Sequence, residues 1–170
     1  MQRFPMTPDG FARMNAELEW RRSIERPAIS KEIEVAREHG DLNENAEYHA
    51  AKEKQGLVEA RIREMEAKIA MAQVVDPEKL DGRRISFGAT VDLCDLDTDE
   101  EMTYSIVGED ESDFRTGLLN YQSPIARGIL GKEEGDEVEI TVGNGKRTLE
   151  ILDVRFESIA LAPQDAPWVK

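Results

Sequence analysis

Apolar residues follow two different periods along this chain, and the change comes near residue 75. In the first half they recur at helical spacing, with Phe11, Met14 and Leu18 as one set and Ile29, Ile33 and Ala36 as another. Thr7 followed by Pro8 predicts where the first helix starts, threonine as the N-cap and proline in the first turn. The register breaks near Pro27. Proline lacks an N–H and its ring crowds the preceding turn, so a kink or local interruption is expected there. Gly40 predicts the end of this helical stretch. A second helical pattern runs from about Asn43 to about Gln73. Within it Val58, Ile62, Met65, Ile69 and Ala72 are spaced 4-3-4-3, the a/d seam of a coiled coil. Gln55, Ala51 and Tyr48 continue the seam toward the turn in more polar form. So short a turn forces the two helices antiparallel. At 1.5 Å per residue, about 32 residues span roughly 48 Å. That exceeds the width of a small domain, so the hairpin is expected to project.

Past Val75 the period falls to two. Asp76-Pro77 and Asp81-Gly82 mark a linker. Short β-like runs follow at 84–87, 90–93, 102–107, 117–121, 137–142 and 148–156, with Gly143-Asn144-Gly145 as the turn between the last two. One short helix is signalled by Ser123 as N-cap, Pro124 in the first turn and Gly131 as the stop. The fold class read from this pattern is α+β. An antiparallel coiled-coil hairpin occupies 1–75 with its tip near 40–45, a linker 76–83, and a mainly antiparallel β domain with one short helix 84–157. Residues 158–170 hold two prolines and no period, and read as a loose tail.

Composition narrows the classes. Of 170 residues, 34% are charged and 39% hydrophobic, the balance of a folded protein with much surface helix. No apolar run approaches the roughly 18 residues of a membrane helix. The start, MQRFPMTPDG, lacks a signal-peptide core, so a cytoplasmic protein without membrane attachment is expected. The single cysteine, Cys94, excludes an internal disulfide and reads as a buried strand residue. The net charge of −14 is uneven: residues 1–75 carry −2 and residues 76–170 carry −12. The second half therefore repels nucleic-acid phosphates, and its acidity suits either a basic protein surface or solubility alone.

The candidate chemistry lies at the turn, in HGDLNENAEYHA. Asp41-x-x-Glu44 has the form of a capping box, with Asn43 as a competing N-cap. The same two carboxylates at an exposed tip also offer oxygens to a hard cation such as magnesium, whose shell waters and phosphate oxygens complete. His39 and His49 flank the tip without zinc-site spacing. Arg37 and Lys52 lie near it, as solvated charges or as a phosphate-facing pair. GNGKR lacks the Walker spacing, and no Ser-His-Asp pattern stands out.

AREHGDLNENAEYHAAKE closely resembles the tip signature of the Gre family of bacterial transcript-cleavage factors. MTPDGF, ERPAI, FGATVDL, YSIVGEDE, SPIARGILGK and GDEVEI resemble further family segments, in family order, and only the tail after Phe156 lies outside. The EYHAAKE wording and the near-neutral first half resemble the GreA branch more than the GreB branch. The resemblance implies an FKBP-like second domain without prolyl isomerase activity. It implies bacterial RNA polymerase as the partner, entered through the secondary channel, and stimulated cleavage of the backtracked RNA 3′ end. It assigns Asp41 and Glu44 to a magnesium ion shared with the polymerase, so that no cofactor is bound stably and the chain is not itself the enzyme. It assigns Arg37 and Lys52 to RNA contact, Asn45 and Tyr48 to support of the tip, and Ser123 and Pro124 to polymerase docking. Lys52 stands where the family also carries arginine. The alternative within the resemblance is a channel-binding inhibitor that does not promote cleavage. The seam is satisfied within one hairpin, so a monomer is expected.

Overall fold

A computed structural model describes residues 2–40 and 45–169. They pack as two compact units. One is built mainly from Arg3–Phe11 and Ala72–Pro163, the other from the described residues of Ala12–Met71 and Gln164–Lys170.

The helical unit is an antiparallel hairpin. Its first arm runs through α1 (Pro8–Trp20), a π-helical turn at Arg21–Glu25, and α2 (Arg26–Arg37). The interruption sits where Pro27 predicts it. Pro27 occupies the first turn of α2, and the Arg26 N–H reaches back to the Arg21 carbonyl, five residues earlier. The second arm is α3 (Ala46–Ala70), of 25 residues and so about 37 Å long. It starts and stops inside the expected span. The seam is where the spacing places it: Val58, Ile62 and Met65 are buried on α3, and Ile29, Ile33 and Ala36 on α2. Ion pairs fix the register between the arms. Arg22 meets Glu66 at 2.6 Å, Arg26 grips both oxygens of Glu59 at 2.7 and 2.9 Å, and Lys54 meets Glu32 at 3.2 Å. Numbers rise in one arm as they fall in the other, the signature of antiparallel packing. Exposed pairs of this kind contribute little stability each. The Trp168 ring packs 5.6 Å from Trp20, with the Arg21 guanidinium 5.3 Å over its face.

The sheet unit begins with a feature the sequence pattern did not suggest. β1 (Phe4–Met6) pairs in parallel with β2 (Ala72–Val74). Ala72 and Gln73, assigned above to the end of the second helix, are therefore strand. The main sheet contains β3 (Thr90–Asp95), β4 (Glu101–Val107), β5 (Leu118–Asn120), β6 (Glu137–Val142) and β7 (Gly145–Arg155) in the order β5-β4-β3-β7-β6. All pairings are antiparallel except β4 with β5. The hairpin between β6 and β7 turns through Gly143 and Asn144, with φ 62° at Gly143, the first turn position. α4 (Pro124–Ile129) starts at Ser123, whose Oγ accepts the Ala126 N–H at 3.3 Å. Ile125, Ala126 and Ile129 join Val91, Leu93, Ile106, Leu149 and Ile151 in one core. This is the α+β second domain expected.

Three expectations need correction here. The run at 84–87 is not a strand, since only Arg84 makes a bridge, to Glu133. The linker expected at 76–83 carries local structure. Asp76 caps a 3₁₀ turn at Pro77–Lys79, accepting the Glu78 N–H at 3.0 Å, and Pro77 is buried. The tail is not loose at its start, because Ile159 is only 8% exposed and packs with Val107 and Leu118. Cys94 lies on a strand but is half-buried.

Charge clusters give this unit an acid-sensitive side. Arg155 Nη1 donates to Asp92 and Asp153 at 2.8 Å each, and Arg147 Nε donates to Asp95 at 2.9 Å. The Arg155 hydrogen bond, then that from Thr103, holds Asp92 below the usual carboxylate range. The Arg147 hydrogen bond does the same for Asp95. A carboxylate with a depressed folded pKa stabilises above its unfolded value, about pH 4, and that share drains as pH falls through the folded value. Glu111 works in the opposite sense. Burial pushes it up, although it accepts hydrogen bonds from the Thr7 N–H and hydroxyl. Thermal unfolding between pH 7 and about pH 3 should show wild type losing stability below about pH 4. Asp92→Asn/Asp95→Asn should start lower at pH 7 and decline less steeply. Parallel curves would refute the assignment.

Candidate functional site

The described residues around the turn form a clasp. α2 ends at Arg37, and its last turn tightens as the Glu38 N–H bonds to the Val35 carbonyl and the His39 N–H to the Ala36 carbonyl, each at 3.2 Å. Gly40, at φ 117°, takes the chain out of the helix in a conformation that side chains disfavour. Asp41 and Glu44, the two carboxylates singled out in the sequence, lie outside the described residues. The chain is described again at Asn45, the N-cap of α3.

This corrects the capping reading. The box Asp41-x-x-Glu44 would start the helix four residues earlier, and Asn43 two residues earlier. Instead Asn45 Oδ1 accepts the Tyr48 N–H at 3.0 Å, and Asn45 has extended backbone, as an N-cap requires. Its amide does a second thing: Nδ2 donates to the Ala36 carbonyl at 2.6 Å. One side chain thus bonds to the start of the second arm and to the end of the first. Asn45 was expected to support the tip. Asparagine supplies a donor that aspartate lacks and reaches further than serine or threonine, and only the fold brings the Ala36 carbonyl within its range.

Arg37 and Tyr48 form the other half of the clasp. Both are held on helices, and the guanidinium carbon of Arg37 lies 5.9 Å from the Tyr48 ring centre. His49 packs edge-on to the same ring at 5.6 Å. The Arg37 side chain is exposed, so its charge is available to a ligand while the tyrosine limits its rotation. Lys52 is one helical turn beyond Tyr48, exposed, and its ammonium donates to Gln55 Oε1 at 3.2 Å. The structure therefore gathers Arg37, Asn45 and Tyr48 at the stems of the tip and places Lys52 along the second arm. Among the described residues no three His, Cys, Asp or Glu side chains gather as a metal cluster.

The remaining two expected site residues belong to the sheet unit. Ser123 is half-buried as the cap of α4, and Pro124 is exposed in its first turn. Among the described residues no helix is long and apolar enough to cross a membrane.

Comparison with known proteins gives a consistent answer over both units. A family model described as transcription elongation factor, N-terminal, matches residues 4–74. A second, described as transcription elongation factor, GreA/GreB, C-term, matches residues 80–156. A protein named transcription elongation factor GreA from Jannaschia sp. is 56% identical over 156 residues, covering 92% of this chain and 99% of that protein. One of the same name from Ruegeria pomeroyi is 55% identical with the same coverage. Another from Sulfurovum sp. is 53% identical over 161 residues, covering 95% of this chain and 99% of its own.

Proposed function

The chain belongs to the GreA/GreB family of transcription elongation factors, and on that premise we propose that it binds bacterial RNA polymerase through the secondary channel and stimulates cleavage of the backtracked RNA 3′ end. The helical hairpin enters the channel and carries Asp41 and Glu44 to the polymerase active centre. The segment at Ser123 and Pro124 contributes to docking at the channel rim. The observation that carries this reading is the clasp. Arg37, Asn45 and Tyr48 come together at the two helix ends that flank Asp41 and Glu44 in the sequence.

The donor chemistry suits a shared magnesium ion. Two carboxylates are hard oxygen ligands, too few to retain magnesium alone and sufficient to complete a shell begun by another protein and RNA. When bound, such an ion stabilises charge on phosphoryl oxygens and lowers the pKa of a water. The chain's own work is positional. Asp41 and Glu44 would hold the ion, and Arg37 would neutralise extruded phosphate. Lys52 would add a point charge where arginine would give a planar fork. Two carboxylates alone leave the factor without a stable cofactor, and the polymerase remains the enzyme. The buried seam within one hairpin supports a monomer. A factor acting on polymerase works in the cytoplasm.

The test is direct. Stalled, backtracked complexes of bacterial RNA polymerase with end-labelled RNA and magnesium are mixed with the wild-type chain. Shortened RNA that resumes elongation is the expected result. Binding without cleavage, or slowed elongation, would favour the inhibitor alternative and overturn the cleavage reading.

A further inference from the structure

We propose that Asn45 is a positioning residue for the tip: its side chain stitches the end of the first arm to the start of the second, and so holds the stems from which Asp41 and Glu44 extend. This inference rests on the cleavage reading above for its functional half, and on hydrogen bonds alone for its structural half.

A helix N-cap needs only an acceptor. Serine, aspartate and asparagine fill that role about equally well. Asn45 also uses its donor. The Ala36 carbonyl lies in the last turn of α2, where carbonyls have no partner further along the helix. It accepts the His39 N–H at 3.2 Å and Asn45 Nδ2 at 2.6 Å. Ala36 itself is 3% exposed. A carbonyl in so enclosed a place loses water on folding, and an absent partner there is costly. The stitch therefore ties Ala36, in the last turn of the first arm, to Asn45, at the start of the second. Glu44 is joined to Asn45 by one peptide bond, and Asp41 follows Gly40 directly. Tying these ends restricts where either carboxylate can be delivered, and misplacement of about 1 Å at a reacting centre costs up to about a hundredfold in rate.

Asn45→Ser separates cap from stitch. Serine accepts the Tyr48 N–H but is too short, and lacks the amide donor, to reach Ala36. Helix content and thermal stability should match wild type. Amide exchange at His39 should speed up several-fold, with Tyr48 unchanged. Polymerase binding and the half-saturating concentration should be unchanged, while the cleavage rate at saturating factor falls about tenfold to a hundredfold. A serine variant that cleaves at the wild-type rate would overturn the positioning role, because a cap alone would then suffice. Unchanged His39 exchange would overturn the stitch itself. If wild type leaves RNA uncut, the cleavage reading fails separately, and the exchange result alone upholds or overturns the tie between the arms.

Discussion

Asp41→Asn combined with Glu44→Gln should lower factor-stimulated cleavage by about 10²–10³-fold while the variant still competes with wild type for polymerase. The two substitutions keep size and shape, remove two negative charges and replace one acceptor oxygen of each group by an NH2 donor. An amide oxygen is a poor substitute for a carboxylate toward a hard divalent cation. Losing that ligation forfeits several kcal/mol of transition-state stabilisation, and each 1.4 kcal/mol is about tenfold in rate. Binding should survive because the buried seam and the cap of α3 are supplied by other residues, Ile29, Ile62, Met65 and Asn45 among them. Cleavage of end-labelled RNA measures the first half, and protection of wild-type cleavage by excess variant reads as competition for the second. A variant that cleaves within about threefold of wild type would return both carboxylates to ordinary surface acids.

The largest stability effect is expected at Met65. This side chain is fully buried at 0% exposure in the middle of the seam, and Met65→Ala should cost about 2–5 kcal/mol through lost burial and a residual cavity. Leu57→Ala, on the same helix and equally apolar in sequence, should be neutral within about 0.5 kcal/mol, because Leu57 is 69% exposed. Denaturant unfolding followed by helical circular dichroism separates the two. Equal losses would mean that the hairpin packs on a different face from the one described.

That contrast also shows what kind of information the sequence holds. The seam is legible because a 4-3 spacing persists over several turns, and only one helical face can satisfy it. Leu57 falls outside the spacing and is exposed accordingly. Pro27 and Ser123-Pro124 are legible for a different reason, since proline and small hydroxyl residues restrict the backbone locally. What escaped is non-local. β1 and β2 are three residues each and pair across 68 positions of chain, so neither is long enough to show a period. Ala72 fits a helical seam and a strand equally well, and the parallel partner at Phe4 decides between them. Ile159 is a lone apolar residue in a polar tail, and its burial depends on a pocket edged by Val107 and Leu118 that no local pattern announces. At the tip, Asp41, Asn43 and Asn45 are all competent caps. Asn45 caps α3 and makes a second bond to the Ala36 carbonyl on the other arm, a contact that no local pattern announces. The candidate site was thus readable as a set of residue types, while the contact that organises its stems was readable only in three dimensions.

The magnesium dependence of cleavage tests most directly whether the tip completes a metal site. The rate in backtracked complexes is measured across a magnesium titration with polymerase alone, with wild type, and with Glu44→Gln. Wild type is predicted to lower the half-saturating magnesium concentration relative to polymerase alone. Glu44→Gln is predicted to shift it back upward, with part of the rate restored at high magnesium. A half-saturating concentration that is the same in all three, with only the maximal rate differing, would contradict a shared ion and place the effect of the tip elsewhere.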